Sequence, residues 1–496
     1  MAARKRERKS EEQAGAAKAP PPARSLAERL FEPVDCASLV WFRVCFGLVM
    51  AWQSAKYLWS GWAESAYVKP AFHFTYYGFG WVKPWPGEGM YWHFYAMIAL
   101  SLLVAAGALY RVGSALLFLA VTHWFLIEAT QYNNHYYLEC LLALLLAFMP
   151  AHRGFSVDAW LRPSLRERTV PAWTVWLLRF QIGVVYFYGG LAKFDPDWLT
   201  GIPVRGLLGK AAALPLLGEW SRAPWFGCFL AYGGLLLDLL IVPLLLWRRT
   251  RLAAFLLALG FHLSNSALFT IGVFPWFMIG ATLIYFDPEW PRAALRRVLR
   301  RKAPDGEPPA HAVPRLGRLR RVGLGLLTLY LLIQVFLPFR RLLYPHRVTW
   351  SEEGFRFAWH MMLRHKLTQA EFVVLSPRNE PLPVKLERTL TKRQFGVMRS
   401  KPDLILQFAH HLAGEARRQG FEDVKVKALI SCSLNGRKPQ LLVDHTVDLA
   451  AEPTGLQPKH WIRPLEEPLP PDEPWVWIEH PEYKRAPDFE ALEAGE

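Results

Sequence analysis

The chain has 496 residues, with 58 Lys and Arg against 42 Asp and Glu and a formal charge of +16. Hydrophobic residues make up 52% of it, including 22 Trp and 31 Phe, yet the mean hydropathy is only +0.10, so a polar portion dilutes an apolar one. This balance excludes a wholly membrane-embedded chain and a purely soluble domain. The basic residues fall in short clusters between apolar segments, as in cytoplasmic loops, so nucleic acid is not an expected partner. Cys36, Cys45, Cys140, Cys228 and Cys432 show no CxxC or metal-ligand spacing and no disulfide framework, and no metal is expected.

Residues 1–29 are charged, rich in Pro and Ala and without an apolar signal-peptide core, and read as a disordered basic tail. Apolar runs of spanning length follow near 38–58, 90–110, 112–131, 135–150, 172–192, 225–247, 252–268, 270–286 and 322–339. They predict about nine transmembrane helices in the lipid bilayer, with 30–286 as one bundle and 322–343 as the last helix. The loops holding Arg111, Arg153 to Arg168, Arg248 to Arg251 and Arg292 to Arg321 are basic; the alternate loops are aromatic. Lys and Arg collect on the cytoplasmic side, so the N-terminus is expected inside and the C-terminal domain outside. Arg340, Arg341 and Arg347 fall on the outer side, against that rule. The linker 287–321 is basic and predicts an interfacial helix over 291–301 attracted to lipid.

Beyond residue 344 the pattern changes to that of an α+β domain spanning 344–480. Phe372 to Leu375, Val424 to Leu434 and Gln440 to Val447 read as strands, and Asn435-Gly436 is a hairpin signal. Residues 404–419 have helical periodicity. The last forty residues, rich in Pro and Glu, read as an extended strap, with 481–496 as a tail. The fold class is therefore a polytopic α-helical membrane protein with a C-terminal extramembrane α+β domain.

Three polar clusters interrupt the apolar runs, and the charge-derived topology brings all of them near the outer face. Gln131, Asn133, Asn134 and His135 form the turn between the third and fourth helices. Lys193, Asp195 and Asp197 follow the fifth, and His262, Ser264, Asn265 and Ser266 lie in the outer half of the seventh. Each has a structural explanation beside a functional one. His135 can cap a helix, and His262 and Asn265 can hydrogen-bond between helices. Asp238, in the sixth run, needs a partner or a proton, and a proton relay is the other reading. Asp195 and Asp197 flank Pro196 in a turn, which accounts for them as capping residues. Tyr186, Phe187 and Tyr188 suit packing as well as a quinone site. Lys193 has two explanations: an anchor that snorkels to the headgroups, or an amine kept neutral in a dry pocket and usable as a base. Convergence of three clusters on one side suggests a membrane-embedded site open to that side. The paired carboxylates of a glycosidase, HExxH and a Gly-rich phosphate loop are all missing.

The stretches YNNHYYLECLL, VVYFYGGLAKFDPDWLTG and FHLSNSALFTIGVFPWFM, and after them LYLLIQVFLPFRRLL and FAWHMMLRHK, resemble the vitamin K-dependent γ-glutamyl carboxylases and their bacterial HTTM (horizontally transferred transmembrane) relatives. The likeness runs from Leu30 to about Trp461. It implies an enzyme that couples oxygenation of reduced vitamin K, a naphthoquinone, to its epoxide with carboxylation of glutamate in a peptide or protein substrate. Reduced vitamin K, O2 and CO2 are the implied cosubstrates. The resemblance implies that Lys193 accepts a proton from the hydroquinone and that the oxygenated intermediate deprotonates glutamate, whose carbanion captures CO2. It implies His135 as catalytic in the carboxylation half, and His262, Asn265, Asn134, Tyr186, Trp359 and Met361 as quinone or substrate contacts. Phe357 stands where the family carries a tyrosine, and the stretch ALYRVGS lacks the disulfide cysteine of animal members, which also have a longer C-terminal region.

The expected function is thus a carboxylase-like membrane enzyme. Its rivals are a quinol epoxidase or oxidase without carboxylation and, from another class, a non-catalytic membrane binding protein or transporter. The expected location is the bacterial inner membrane, or the endoplasmic reticulum membrane in a eukaryote.

Overall fold

The computed structural model describes residues 25–208, 220, 223–268, 271–300, 318–378, 380–382 and 389–469. The tail over residues 1–24, the middle of the basic linker and the strap beyond 469 lie outside the described residues. Within the expected tail, Leu26–Leu30 is a short helix, because Ser25 and Glu28 cap it reciprocally.

All nine apolar runs are helical: α1 (Ala37–Trp59), α2 (Gly89–Ala106), α3 (Tyr110–Ile127), α4 (Asn134–Phe148), α5 (Ala172–Ala192), the one-turn α6 (Pro196–Leu199) outside the set, then α7 (Pro224–Leu246), α8 (Arg251–Leu268), α9 (Phe274–Thr282), α10 (Trp290–Val298, again outside it) and α11 (Arg318–Phe336). Among the described residues seven helices are long and apolar enough to cross a membrane, the last counted over Arg321–Leu343, and α4 and the Phe274–Tyr285 segment are shorter. The expected count of about nine is therefore seven full-length helices and two short ones. An α-helix rises 1.5 Å per residue, so the shorter pair falls below the ~30 Å hydrocarbon thickness.

Burial separates centre from rim. Two-thirds of the apolar windows of α1 and α5 are buried against 11% of that of α11, so α1 and α5 form the core and α11 is peripheral. Contact between α1 and α2 depends on Gly47, where a Cβ would meet the Ser101 carbonyl oxygen at 2.6 Å and Ala105 at 2.7 Å. Arg43 is fully buried in α1 and donates to the carbonyls of Ala151 at 2.8 Å, Ala105 at 3.1 Å and Phe155 at 2.6 Å. It satisfies carbonyls where α2 and the loop after α4 end, a role the apolar reading of 38–58 did not include. A two-stranded sheet, β1 (Pro33–Asp35) with β2 (Thr169–Pro171), ties the chain entrance to the start of α5. The interfacial helix predicted over 291–301 is α10, held to β1 by Arg292 on Asp35 at 2.9 Å.

The C-terminal domain is an antiparallel sheet in the order β4-β3-β5-β6, with β3 (Lys366–Leu375), β4 (Pro381–Leu382), β5 (Lys425–Leu434) and β6 (Gln440–Leu441). Helices α12 (Lys392–Met398) and α13 (Pro402–Arg418) accompany it; Phe408 of α13 meets Phe372 of β3 edge-on at 5.1 Å. β3 begins six residues before the predicted strand because Lys366 is buried by polar contacts that hydrophobic alternation does not reveal: its ammonium bonds Glu352 at 2.9 Å and the Ser400 carbonyl at 3.2 Å. The predicted strand over Gln440 to Val447 is only two residues, because Asp444 caps a turn by accepting from Thr446 N at 2.9 Å. Asn435 and Gly436 make the predicted hairpin turn, both with positive φ. The turn is not a free tip: Asn435 is fully buried against the helical bundle.

Candidate functional site

The candidate site is organised by one face of α5. Tyr186, Gly189 and Lys193 follow at intervals of three and four, so they share that face. Gly189 and Gly190 let neighbours come close. A Cβ at Gly190 would meet Leu239 side-chain atoms at 2.8 Å and its backbone nitrogen at 3.1 Å. One at Gly189 would meet Met361 Cε at 2.9 Å and Asp238 Oδ2 at 3.3 Å. The YFYGGLAK stretch therefore draws α7 from one side and the post-membrane segment from the other onto the turn that carries the lysine.

Lys193 is buried at the C-cap of α5, and its Nζ bonds to Asp238 Oδ2 and to the Gly189 carbonyl at 3.2 Å. The ring of Trp198 lies 5.7 Å from the ammonium. The partner that Asp238 requires is thus Lys193, and the lysine points inward instead of snorkelling. With one proton moved along this hydrogen bond, an ammonium–carboxylate pair becomes a neutral amine beside a neutral acid, with no change in net charge.

His262 of α8 is buried, and its Nε2 lies 2.7 Å from the Tyr186 hydroxyl, which is also 3.3 Å from Thr282 Oγ1 of α9. Asn265, one turn further on, is half-buried, and its side chain makes no hydrogen bond among the described residues. His135, at the first turn of α4, stacks on Phe274 with centroids 5.4 Å apart. Its ring nitrogens have no hydrogen-bond partner among the described residues, so an imidazole is left available. Asn134 donates to the His360 carbonyl at 2.6 Å and accepts from Tyr132 at 2.9 Å. Trp359 is buried against Tyr137, centroids 5.1 Å apart. The segment Trp359 to Met361 therefore joins the start of α4 to the glycine pair of α5. Lys193, Tyr186, His262 and Met361 form one connected set, with Asn134 and Trp359 attached through that segment. His135 is its neighbour on α4, beside α9.

Phe357 takes a positive φ and packs among aromatic rings, with Tyr137 and Tyr132 at 5.0 and 5.5 Å between centroids. Tyr132 and Tyr137 carry hydroxyls around the ring that lacks one.

Some site residues escaped the reading of the sequence. His360 sits between the two named residues Trp359 and Met361; both its ring nitrogens are buried without a partner among the described residues. Burial first, then the Arg341 and Arg364 charges, hold its imidazole down to about 3, so it is neutral. It lines a cleft with Tyr188, Leu191 and Arg341 that has room for about one water, and such a water would satisfy it. Glu139, one turn after His135 on α4, is buried and accepts from Gln53 at 2.7 Å. The readable signal was an acid at i+4 from a histidine in an apolar run. Asp195 caps α6 as expected, accepting from Asp197 N at 2.9 Å, but both aspartates also bind Arg347, at 3.2 and 2.8 Å. That cation, expected on the outer side, belongs to the domain junction, so it does not report topology. A larger cavity of about 520 Å3, lined by residues between Tyr67 and Gly87, contains none of these groups.

A bundle of apolar helices with a buried lysine–carboxylate pair, covered by a C-terminal sheet domain, defines a multi-pass membrane protein with a built polar site. Residues 31–290 match the HTTM domain, and residues 319–468 match the vitamin K-dependent gamma-carboxylase, lumenal domain. The chain belongs to the vitamin K-dependent gamma-carboxylase family. No solved structure matches it.

Proposed function

We propose that the protein couples oxygenation of a reduced naphthoquinone of the vitamin K type to carboxylation of glutamate in a protein or peptide, with O2 and CO2 as cosubstrates. The observation that carries this reading is the buried Lys193–Asp238 pair on the same helix face as Tyr186 and its partner His262. The hydroquinone supplies an acidic hydroxyl and, once oxygenated, the driving force of the reaction. Lys193, as the neutral amine beside the protonated Asp238 carboxyl, takes the hydroxyl proton at Nζ, and the hydroquinone anion left behind balances the ammonium that results. Tyr186 and His262 offer a donor and an acceptor for the second quinone oxygen. His135, with free ring nitrogens, orients CO2 or the glutamate carbanion. Trp359 and Met361 close the site against water, which would quench a strong base or a carbanion. Asn265 and Asn134 complete the polar lining.

The bundle spans 30–286, the basic linker 287–321, the last helix 322–343 and the outer domain 344–480 in this reading. The N-terminus is cytoplasmic and the domain extracytoplasmic, so a protein substrate meets the site from outside.

The test is paired. Purified protein with vitamin K hydroquinone, O2, labelled CO2 and a glutamyl peptide yields both epoxide and labelled peptide, and Lys193→Ala yields neither while its thermal unfolding remains cooperative. Epoxide without label across varied peptides would establish the epoxidase reading. Ligand binding or flux undiminished in Lys193→Ala, with no quinone turnover in the unmutated protein, would establish the binding or transport reading.

A further inference from the structure

Four residues beyond Lys193, the Asp197 carboxylate is buried and encircled by donors of the C-terminal domain. Arg437 Nη1 and Nη2 reach it at 2.6 and 3.0 Å, Asn435 Nδ2 at 2.9 Å and Arg347 Nη2 at 2.8 Å. Those donors are themselves fixed by main chain. Arg437 Nε donates to the Glu467 carbonyl at 2.9 Å, and Asn435 exchanges two 2.9 Å bonds with the backbone of His365. Asp195 shares Arg347 and accepts from Thr349 at 3.4 Å.

Trp198 is the next residue in the chain. It is buried, its Nε1 donates to the Ala231 carbonyl of α7 at 3.1 Å, and its ring is the face presented to the Lys193 ammonium. Both aspartates and Trp198 lie on α6 or at its N-cap, a single turn of four residues. An isolated turn is unstable, since helix nucleation fixes several dihedrals for one hydrogen bond. Something outside must hold it. The bidentate Arg437 contact does so with defined direction as well as energy. The Arg437 guanidinium and the Asp197 carboxylate lose their water at this junction, while Arg347 stays partly exposed; the burial has a cost that apolar packing would avoid, and the gain is a fixed geometry.

We propose that Asp197, clamped by Arg347, Asn435 and Arg437, is a positioning residue that fixes the Trp198 ring and through it the orientation of the Lys193 amine. The hairpin turn of the outer domain thereby completes the lysine site from a distance. The proposal rests on Lys193 as the reactive amine, and its test is chosen so that the two ideas fail separately.

The readout is the rate at which Lys193 of the full-length protein in lipid nanodiscs is modified by an amine-acylating reagent, followed by peptide mass spectrometry across pH. Hydroquinone consumption is measured beside it. Asp197→Asn and Trp198→Leu are expected to raise the labelling rate of Lys193 and shift its pH profile. They should lower kcat about tenfold or more with KM unchanged, since small misplacements of a reacting group cost that much. Asp197→Glu should restore part of both. Gln407→Ala removes another domain-to-bundle contact, the reciprocal pair in which Gln407 accepts from Thr75 N at 2.9 Å and donates to the Thr75 carbonyl at 3.0 Å, and should leave Lys193 labelling unchanged. Trp198→Leu leaves every ion pair in place and decides the matter if Asp197→Asn does not fold. Unchanged labelling in Trp198→Leu, or an equal increase in Gln407→Ala, would overturn the clamp. Absent hydroquinone turnover in the unmutated protein would overturn Lys193 as the catalytic amine while the labelling still decides the clamp.

Discussion

Lys193 and Asp238 meet across the contact between α5 and α7, amine to carboxylate, with both side chains buried. Removing one partner strands the other charge in a dry site, at a cost of roughly 3–5 kcal/mol, whereas removing both leaves no charge to strand. Lys193→Met and Asp238→Leu should therefore each lower the thermal midpoint in detergent more than the double variant does. Quinol oxidation should vanish in all three. Additive midpoint losses in the double variant would show that the two side chains do not act as a pair.

Gly190 is the tightest point of the α5–α7 approach, and its neighbours include backbone. Gly190→Ala should push the helices apart, lower stability by about 1–3 kcal/mol and reduce turnover by displacing Asp238 from Lys193. Gly189→Ala meets the end of the flexible Met361 side chain and should be milder. Unfolding curves and hydroquinone consumption on the two variants give the order directly.

Arg43 satisfies three carbonyls, one at the end of α2 and two in the loop after α4. Arg43→Met keeps the side-chain length but leaves those acceptors unpaired, and each buried unmet acceptor costs about 1–3 kcal/mol. The variant should be among the least stable single substitutions in α1, measured by thermal aggregation in detergent. A shift no larger than that of an exposed α11 substitution such as Leu326→Ala would contradict this role.

The outer domain holds a dense cation cluster. Burial, then the Arg356 charge, holds the Lys401 ammonium down to about 7, from an ordinary value near 10.5. The unfolded chain therefore carries more protons than the folded one between those values, and stability rises as pH climbs through that window. The rise is bounded by about 1.4 kcal/mol per pH unit for one proton. Lys401→Met should flatten the stability–pH curve between about pH 7 and 10. Chemical denaturation of the full protein at pH 7, 8 and 9 measures the slope. Glu352 works the other way: burial raises it, but Arg364 and Lys366 more than offset that and bring it to about 2, so its contribution is full above about pH 4.5 and is lost as pH falls from there to about 2.

Much of the architecture was legible in local pattern. A bilayer demands long apolar helices, so hydrophobic runs marked the helices of the bundle within a few residues. Asn435-Gly436 announced its hairpin because both residues tolerate positive φ. Polar residues in apolar surroundings marked Lys193, His135 and His262 as candidates, since such residues are costly there without a purpose. The reading faltered where a contact joins distant parts of the chain. Lys366 started β3 early because its partners, Glu352 and Ser400, lie far from it in sequence. Glu139 and His360 were passed over because an isolated polar residue carries no sign of whether its neighbours satisfy it.

Local pattern along the chain sufficed for the apolar helices, the sheet domain after them and the polar residues worth suspecting. Each of these follows from short-range periodicity and from the cost of moving polar groups out of water. Tertiary structure alone decided that Asp238 belongs to Lys193, that Tyr186 belongs to His262 and that the Asn435 turn closes on Asp197. Those pairings span 45, 76 and 238 positions of chain. The first exists because glycines on α5 admit α7 to close contact, and no local pattern encodes which surface will arrive at any of the three.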